Sequence, residues 1–188
     1  MPRMPMFDYI ILAAGLLAWV TPFFLLKRNK AAPSQRDRRA RWGLMLQVIA
    51  YVIIWQGKFW VQPPAVWRVG LSALFLACAA AFSWTALRAL GKQWRLDAGL
   101  NADHELVRHG VYAVVRHPIY TSMLCLLLGQ GFMVAPWPLL ATGTVLMILG
   151  TEIRVRCEER LLRAQFGAEL DAYRQKVGAY VPWLKLGI

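Results

Sequence analysis

The stretch "GVYAVVRHPIYTSMLCLLLGQG", residues 110–131, sets an arginine, a histidine and a proline in a row and then runs into apolar sequence. Pro118 suits the first turn of a helix, where its missing N–H costs nothing. The stretch therefore reads as the start of an apolar helix, with Arg116, His117 and Tyr120 at its edge. Polar and charged groups are expensive at the edge of hydrocarbon unless something meets them.

The rest of the chain supports a hydrocarbon setting. Of 188 residues, 58% are hydrophobic and 17% charged, where a soluble domain carries about 25% charged residues. Five apolar segments can be read, at 7–26, 42–61, 69–90, 118–134 and 138–153. A membrane-spanning helix needs roughly 20 such residues. The last two segments are short and are separated by the turn "APWP", so they read as a helical hairpin. The first segment lacks a basic leader and is too long for a signal-peptide core, so it reads as a retained span. The expected fold is an all-α integral membrane protein with about five transmembrane helices. A long polar loop and a C-terminal amphipathic helix are expected on its cytoplasmic side.

Charge distribution sets the orientation. Of the 22 Lys and Arg residues, all but Arg3, Lys58 and Arg68 fall in loop 27–41, loop 88–117 or the tail from Arg154. That is the positive-inside pattern, with the N-terminus outside and the C-terminus cytoplasmic. The net charge of +12 is thus a topology signal, and nucleic-acid binding has no further support. The basic loop 27–41 is expected to be mobile and to face anionic headgroups, so membrane lipids are expected partners. Cys78, Cys125 and Cys157 are isolated and indicate neither a disulfide framework nor a metal site.

Polar groups enter the apolar segments in patterns. Gln47, Tyr51, Trp55 and Lys58 follow one helical face, as an interhelical hydrogen-bonding seam would. The alternative is one wall of a polar-lined substrate passage. "ALFLACAAAF" in the third segment is rich in small residues and predicts close helix packing. Arg88, Lys92 and Arg95 continue its stripe beyond the membrane. Residues 92–117 break the apolar pattern, and loops of that length in compact domains are disproportionately functional. In the tail, Leu162, Phe166, Leu170, Tyr173 and Val177 recur at helical spacing. That stripe extends backward to Glu158, with Glu159 beside it. Glu159 has Arg163 at the favourable i,i+4 spacing. Glu158 has only Arg154, in the less favourable order, and is the better candidate for meeting a cationic ligand.

Arg116, His117, Tyr112 and Tyr120 from one segment and Glu158 and Glu159 from another are thus expected together. Free N–H groups at the start of the Pro118 helix, with Arg116, could hold a carboxylate or phosphate. The helix dipole should leave His117 neutral. Carboxylates, anion-binding donors and tyrosine faces suit a zwitterionic or positively charged cofactor.

"HELVRHGVYAVVRHPIYTSM" from His104 and "CEERLLRAQFGAELDAYRQKVGAYVPWL" from Cys157 closely resemble two motifs of the isoprenylcysteine carboxyl methyltransferase family. The phospholipid N-methyltransferases are broader relatives. The resemblance covers residues 91–184. It implies an integral membrane methyltransferase that uses S-adenosyl-L-methionine. Carried over residue by residue, it implies cofactor contacts from His104, Leu106, Val107, Gly110, Tyr112, His117, Pro118 and Tyr120 in the first motif. Glu158, Glu159 and Leu162 supply them in the second. Ser122 stands where the family commonly has glycine, Leu170 where it often has an aromatic, and Arg108-His109 where Thr-Ser is frequent. Residues 1–90 match no motif and form three helices on the substrate side, with 91–188 as the methyltransferase core.

The substrate implied is a lipophilic small molecule, lipid or lipidated molecule entering from the membrane. A carboxylate acceptor would need only a cation such as Arg116 to hold it. An amine or thiol would need a base, for which Glu158 or His117 could serve. Arg116 and Glu158 are therefore the candidate catalytic residues. Two other readings stand beside this one: an NADPH-dependent membrane reductase of the sterol-reductase type, and a non-catalytic membrane protein.

Overall fold

The computed structural model describes residues 4–26, 35–57, 63–94, 99–100 and 105–181. The expectations placed on Lys58, Arg95, His104, residues 182–184 and residues 27–34 of the basic loop lie outside these. The described chain forms six helices: α1 (Met6–Leu25), α2 (Ala40–Ile54), α3 (Val66–Leu90), α4 (Pro118–Val134), α5 (Trp137–Phe166) and α6 (Ala168–Lys176). Short 3-10 turns stand at Gly91–Gln93 and Gly110–Ala113. The strands β1 (Gln35–Arg36) and β2 (Gly99–Leu100) pair antiparallel. Prolines mark helix starts, as their fixed φ requires: Pro118 opens α4, and Pro136 and Pro138 flank the first residue of α5.

Three helices, α1, α3 and α5, are long and apolar enough to cross a membrane. Helices α2 and α4 have 15 and 17 residues, about 22 and 26 Å at the α-helical rise, against a hydrocarbon core of about 30 Å. The second expected span reaches residue 61, whereas α2 ends at Ile54 and a turn follows to Gly57. The last expected span ends at Ile153, whereas α5 runs on to Phe166, so hairpin and tail share one rod. The tail helix is then broken where the apolar stripe predicts continuity. Gly167 has φ +49, a conformation that glycine alone adopts without strain. Leu162 and Phe166 consequently stay on α5, while Leu170 and Tyr173 are buried on α6.

Packing pairs α2 with α5, and α3 with both α4 and α1. Small residues set the closest approaches. A Cβ on Gly43 would lie 2.5 Å from the Gly150 carbonyl oxygen, and one on Gly150 would lie 2.6 Å from that of Gly43. The α2 and α5 backbones therefore touch, as small residues allow in membrane bundles. Leu76 fills a notch between Gly15 of α1 and Gly129 of α4. The polar face of α2 is an interhelical seam: Gln47 Nε2 donates to Thr151 Oγ1 at 3.0 Å, Tyr51 to the Met123 carbonyl at 2.8 Å, and Trp55 Nε1 to Gln130 Oε1 at 3.0 Å. That seam holds α2 against α4 and α5.

The basic loop is docked where it is described. Asp37 accepts from the Arg39 backbone N–H at 2.9 Å and from Arg160 Nη1 of α5 at 3.0 Å. Ala40 packs with Cys157 against Ile153. Residues 35–40 thereby lie over the charged end of α5.

Candidate functional site

The start of α4 is fixed by the C-terminal segment. Val115 forms a parallel bridge with Gly178. The Arg116 N–H donates to the Gly178 carbonyl at 2.9 Å, and the His117 N–H to that of Ala179 at 2.8 Å. Thr121 Oγ1 donates to the Tyr180 carbonyl at 2.7 Å. The backbone N–H groups of Arg116 and His117, just ahead of α4, are thus satisfied by the chain's own carbonyls.

Glu159 enters this junction from α5. Arg116 donates to its Oε1 through Nε at 2.9 Å and Nη2 at 2.7 Å. His117 Nε2 lies 3.2 Å from the same oxygen, and Arg174 Nε of α6 lies 3.2 Å from Oε2. The Arg116 and Glu159 side chains are only 8% and 10% exposed, so this is a buried cluster. The surface pair of Glu159 with Arg163 does not form. Arg163 pairs with Asp171 of α6 at 3.1 Å instead. Arg116 Nη1 donates to the carbonyls of Arg174 (3.3 Å) and Val177, closing the C-terminal end of α6 with a cation. The guanidinium expected to hold a substrate carboxylate is therefore occupied within the protein.

Glu158, one residue earlier on α5, is arranged differently. Tyr120 donates its hydroxyl to Oε1, and His117 Nδ1 lies 3.4 Å from Oε2. The Glu158 side chain remains 27% exposed. Behind it, Arg154 Nε donates to the Tyr120 hydroxyl at 2.8 Å, with the guanidinium 5.2 Å from the tyrosine ring centroid. His117 sits between the two carboxylates, one ring nitrogen facing each. Burial disfavours its charge, but hydrogen bonds and charge from Glu158 and Glu159 outweigh that and raise its pKa to about 9. The expected neutral imidazole is thus a protonated one. A helix N-terminus carries about half a positive charge, less than the two full negative charges opposing it.

Tyr112 is buried in the turn Gly110–Ala113, and its carbonyl accepts from the Tyr173 hydroxyl of α6. Gly110 takes φ +62 at the start of that turn. Leu106, Val107 and Leu162 are half-buried and Pro118 is buried. Arg174, Thr121 and Tyr180 at this junction are unforeseen in the sequence, and so are the contacts of Tyr173 and Arg154. Helical periodicity carries no signal for a non-helical segment crossing back over α4. Arg154 was visible only as a neighbour of Glu158 on its own helix.

Apolar helices that bury a histidine–carboxylate–arginine cluster beyond the apolar part of the longest one define a membrane protein with a charged boundary site. The chain belongs to the isoprenylcysteine carboxyl methyltransferase (ICMT) family, whose sequence pattern matches residues 71–164. A probable protein-S-isoprenylcysteine O-methyltransferase of Oryza sativa subsp. indica is 36% identical over 83 residues, 44% of this chain and 43% of that protein. A methanethiol S-methyltransferase of Mycobacterium tuberculosis is 30% identical over 172 residues, covering 77% of this chain and 64% of the other. The solved structure of a eukaryotic intramembrane Ras methyltransferase ICMT superposes with a TM-score of 0.58 at 18% identity, covering 94% of this chain and 63% of that one. The two share a fold. The match to the rice protein spans less than half of that protein's length.

Proposed function

We propose that the chain is an integral membrane methyltransferase that uses S-adenosyl-L-methionine. It would methylate an amphiphilic or lipophilic acceptor at the cytoplasmic membrane face. The observation carrying this is the meeting of the two family motifs at Glu158. This carboxylate is partly exposed and is oriented by Tyr120 and His117, and the chain belongs to a family of membrane methyltransferases. The concentration of Lys and Arg in the flanking loops supports the cytoplasmic assignment.

The donor set fits the cofactor. Glu159 is saturated by Arg116, His117 and Arg174, so it holds the site together. Glu158 keeps exposed surface and is the carboxylate suited to the cofactor's ammonium. Tyr112, Pro118 and Tyr120 are buried residues of the same motif, and the family resemblance would add Leu106, Val107, Gly110 and Leu162 to the cofactor's contacts. When bound, S-adenosyl-L-methionine supplies a methyl carbon activated by its sulfonium, so that an acceptor lone pair forms the new bond as the carbon–sulfur bond breaks. The residues' tasks are then to position the acceptor at near-attack distance and to exclude water.

The acceptor atom has two readings. The names of the plant and other isoprenylcysteine methyltransferases point to a carboxylate. The relative aligned over 77% of this chain is named for a thiol. Transfer of a labelled methyl group from S-adenosyl-L-methionine to a detergent-solubilised membrane extract tests the proposal, and a labelled apolar product is expected. Saturable NADPH binding without any labelled product would favour the reductase reading and overturn this one.

A further inference from the structure

Asp37 fastens a segment that lies outside the family pattern onto the helix carrying Glu158 and Glu159. Its carboxylate, 13% exposed, accepts from the Arg39 backbone N–H at 2.9 Å and from Arg160 Nη1 at 3.0 Å. The Cys157 thiol lies beside the same carboxylate, and Ala40 packs with Cys157. Cys157 and Arg160 flank the two glutamates in the sequence of α5. An exposed ion pair contributes at most about 1 kcal/mol. Here the carboxylate is largely withdrawn from water and meets a backbone donor as well as a guanidinium. The α2–α5 crossing is already fixed by Gly43, Gly150 and the bond from Gln47 to Thr151, so α2 does not depend on Asp37 for its place.

The segment fastened in this way is itself paired with a distant one. Gln35 lies opposite Leu100 and Arg36 opposite Gly99, and β2 also contacts α5. Five residues after β2, Glu105 opens the stretch that runs through Leu106, Val107 and Gly110 to α4. The far end of that stretch is attached to α6, by Arg108 to Glu169 at 2.8 Å and by the Tyr173 hydroxyl to the Tyr112 carbonyl. Along the chain, the described part of the first motif therefore lies between two attachments. One is to α6, and the other runs through β2, β1 and Asp37 to α5.

Resting on the function proposed above, we infer that Asp37 is a positioning residue for the cofactor: through β1 and β2 it holds the first motif's segment toward α5 and so retards cofactor release. It acts through Arg160 and the paired strands and touches neither cofactor nor acceptor. The consequence is kinetic, because loosening one of two attachments opens a way out without removing any group that binds the cofactor.

The test is the dissociation rate of tritiated S-adenosylhomocysteine from the purified full chain, chased with unlabelled compound. Asp37→Ala should speed dissociation about tenfold, as loss of a charge-assisted bond implies. Arg160→Gln should act in the same direction, and the double variant should add little to either, since both break one link. Asp37→Cys places a thiol beside Cys157. Oxidation of that pair should slow dissociation below the wild-type rate, reduction should restore fast release, and Cys157→Ser should abolish the response. A residue that merely stabilised the fold would shift the melting temperature and show no such reversal. Without ligand, hydrogen exchange at residues 105–107 should rise in Asp37→Ala. Unchanged dissociation in that variant, or unchanged exchange at those residues, would overturn the inference. If the wild type bound no S-adenosylhomocysteine while exchange at 105–107 still rose in Asp37→Ala, the attachment would stand and the methyltransferase reading would fail.

Discussion

Glu158 and Glu159 are neighbours on α5, yet Glu159 has both oxygens filled by buried cations while Glu158 keeps 27% of its side chain exposed. Their substitutions should therefore separate. Glu159→Gln leaves the Arg116 guanidinium buried without its counter-ion, a loss of about 3–5 kcal/mol. It should lower the melting temperature well before it lowers cofactor affinity. Glu158→Gln should do the reverse, weakening S-adenosylhomocysteine binding by about tenfold, as loss of a charge-assisted bond implies, with a small change in melting temperature. Calorimetry and thermal denaturation of both variants check this. His117 gives a pH signature. Its pKa rises from an ordinary 6.5 to about 9 in the folded protein, so its stabilising charge is fully present below 6.5 and is lost as pH climbs through 9. The melting temperature should fall across that interval, and His117→Gln should flatten the fall. The adjacent carboxylates were legible from sequence, but which of them would be saturated was not. That depended on Arg174, whose position follows from the break at Gly167.

At the level of elements, apolar runs and prolines marked every long helix, and the α2 seam was readable from Gln47, Tyr51 and Trp55. The continuous rod of α5 was harder to see, because its composition changes from apolar to charged at Arg154 while the backbone does not. The return of residues 177–181 over α4 was invisible, since backbone pairing leaves no periodic trace. This gives the tail a testable task. Thr121→Val removes the donor to the Tyr180 carbonyl, and Tyr173→Phe removes the donor to the Tyr112 carbonyl. Each should cost about 1–3 kcal/mol and increase hydrogen exchange at residues 115–117 more than within α1. At the α2–α5 crossing, Gly150→Leu forces a side chain into the Gly43 carbonyl. The overpacking should cost about 1–3 kcal/mol or more. It would also displace Gln47 from its bond to Thr151, so the loss should show as a lower melting temperature.

Across the molecule, the ends of α4 and α5 that carry the charged cluster, β1 and the turn before α4 come together at one end of the bundle. The opposite end of α4 is closed by Arg68 Nη2, which donates to the carbonyls of Gly131 and Ala135 and lies 5.5 Å from the Trp137 ring centroid. Residues before 71 lie outside the family pattern, yet they supply Gly43 and Gln47, which pack directly against Gly150, Thr151 and Arg154 of α5. Both the family pattern and the packed bundle cross residue 90. The measurement closest to the central claim is titration of the purified wild-type protein with S-adenosylhomocysteine and, separately, with NADPH. The account predicts saturable binding of S-adenosylhomocysteine at one site and no heat from NADPH. Binding of NADPH with no response to S-adenosylhomocysteine would contradict it.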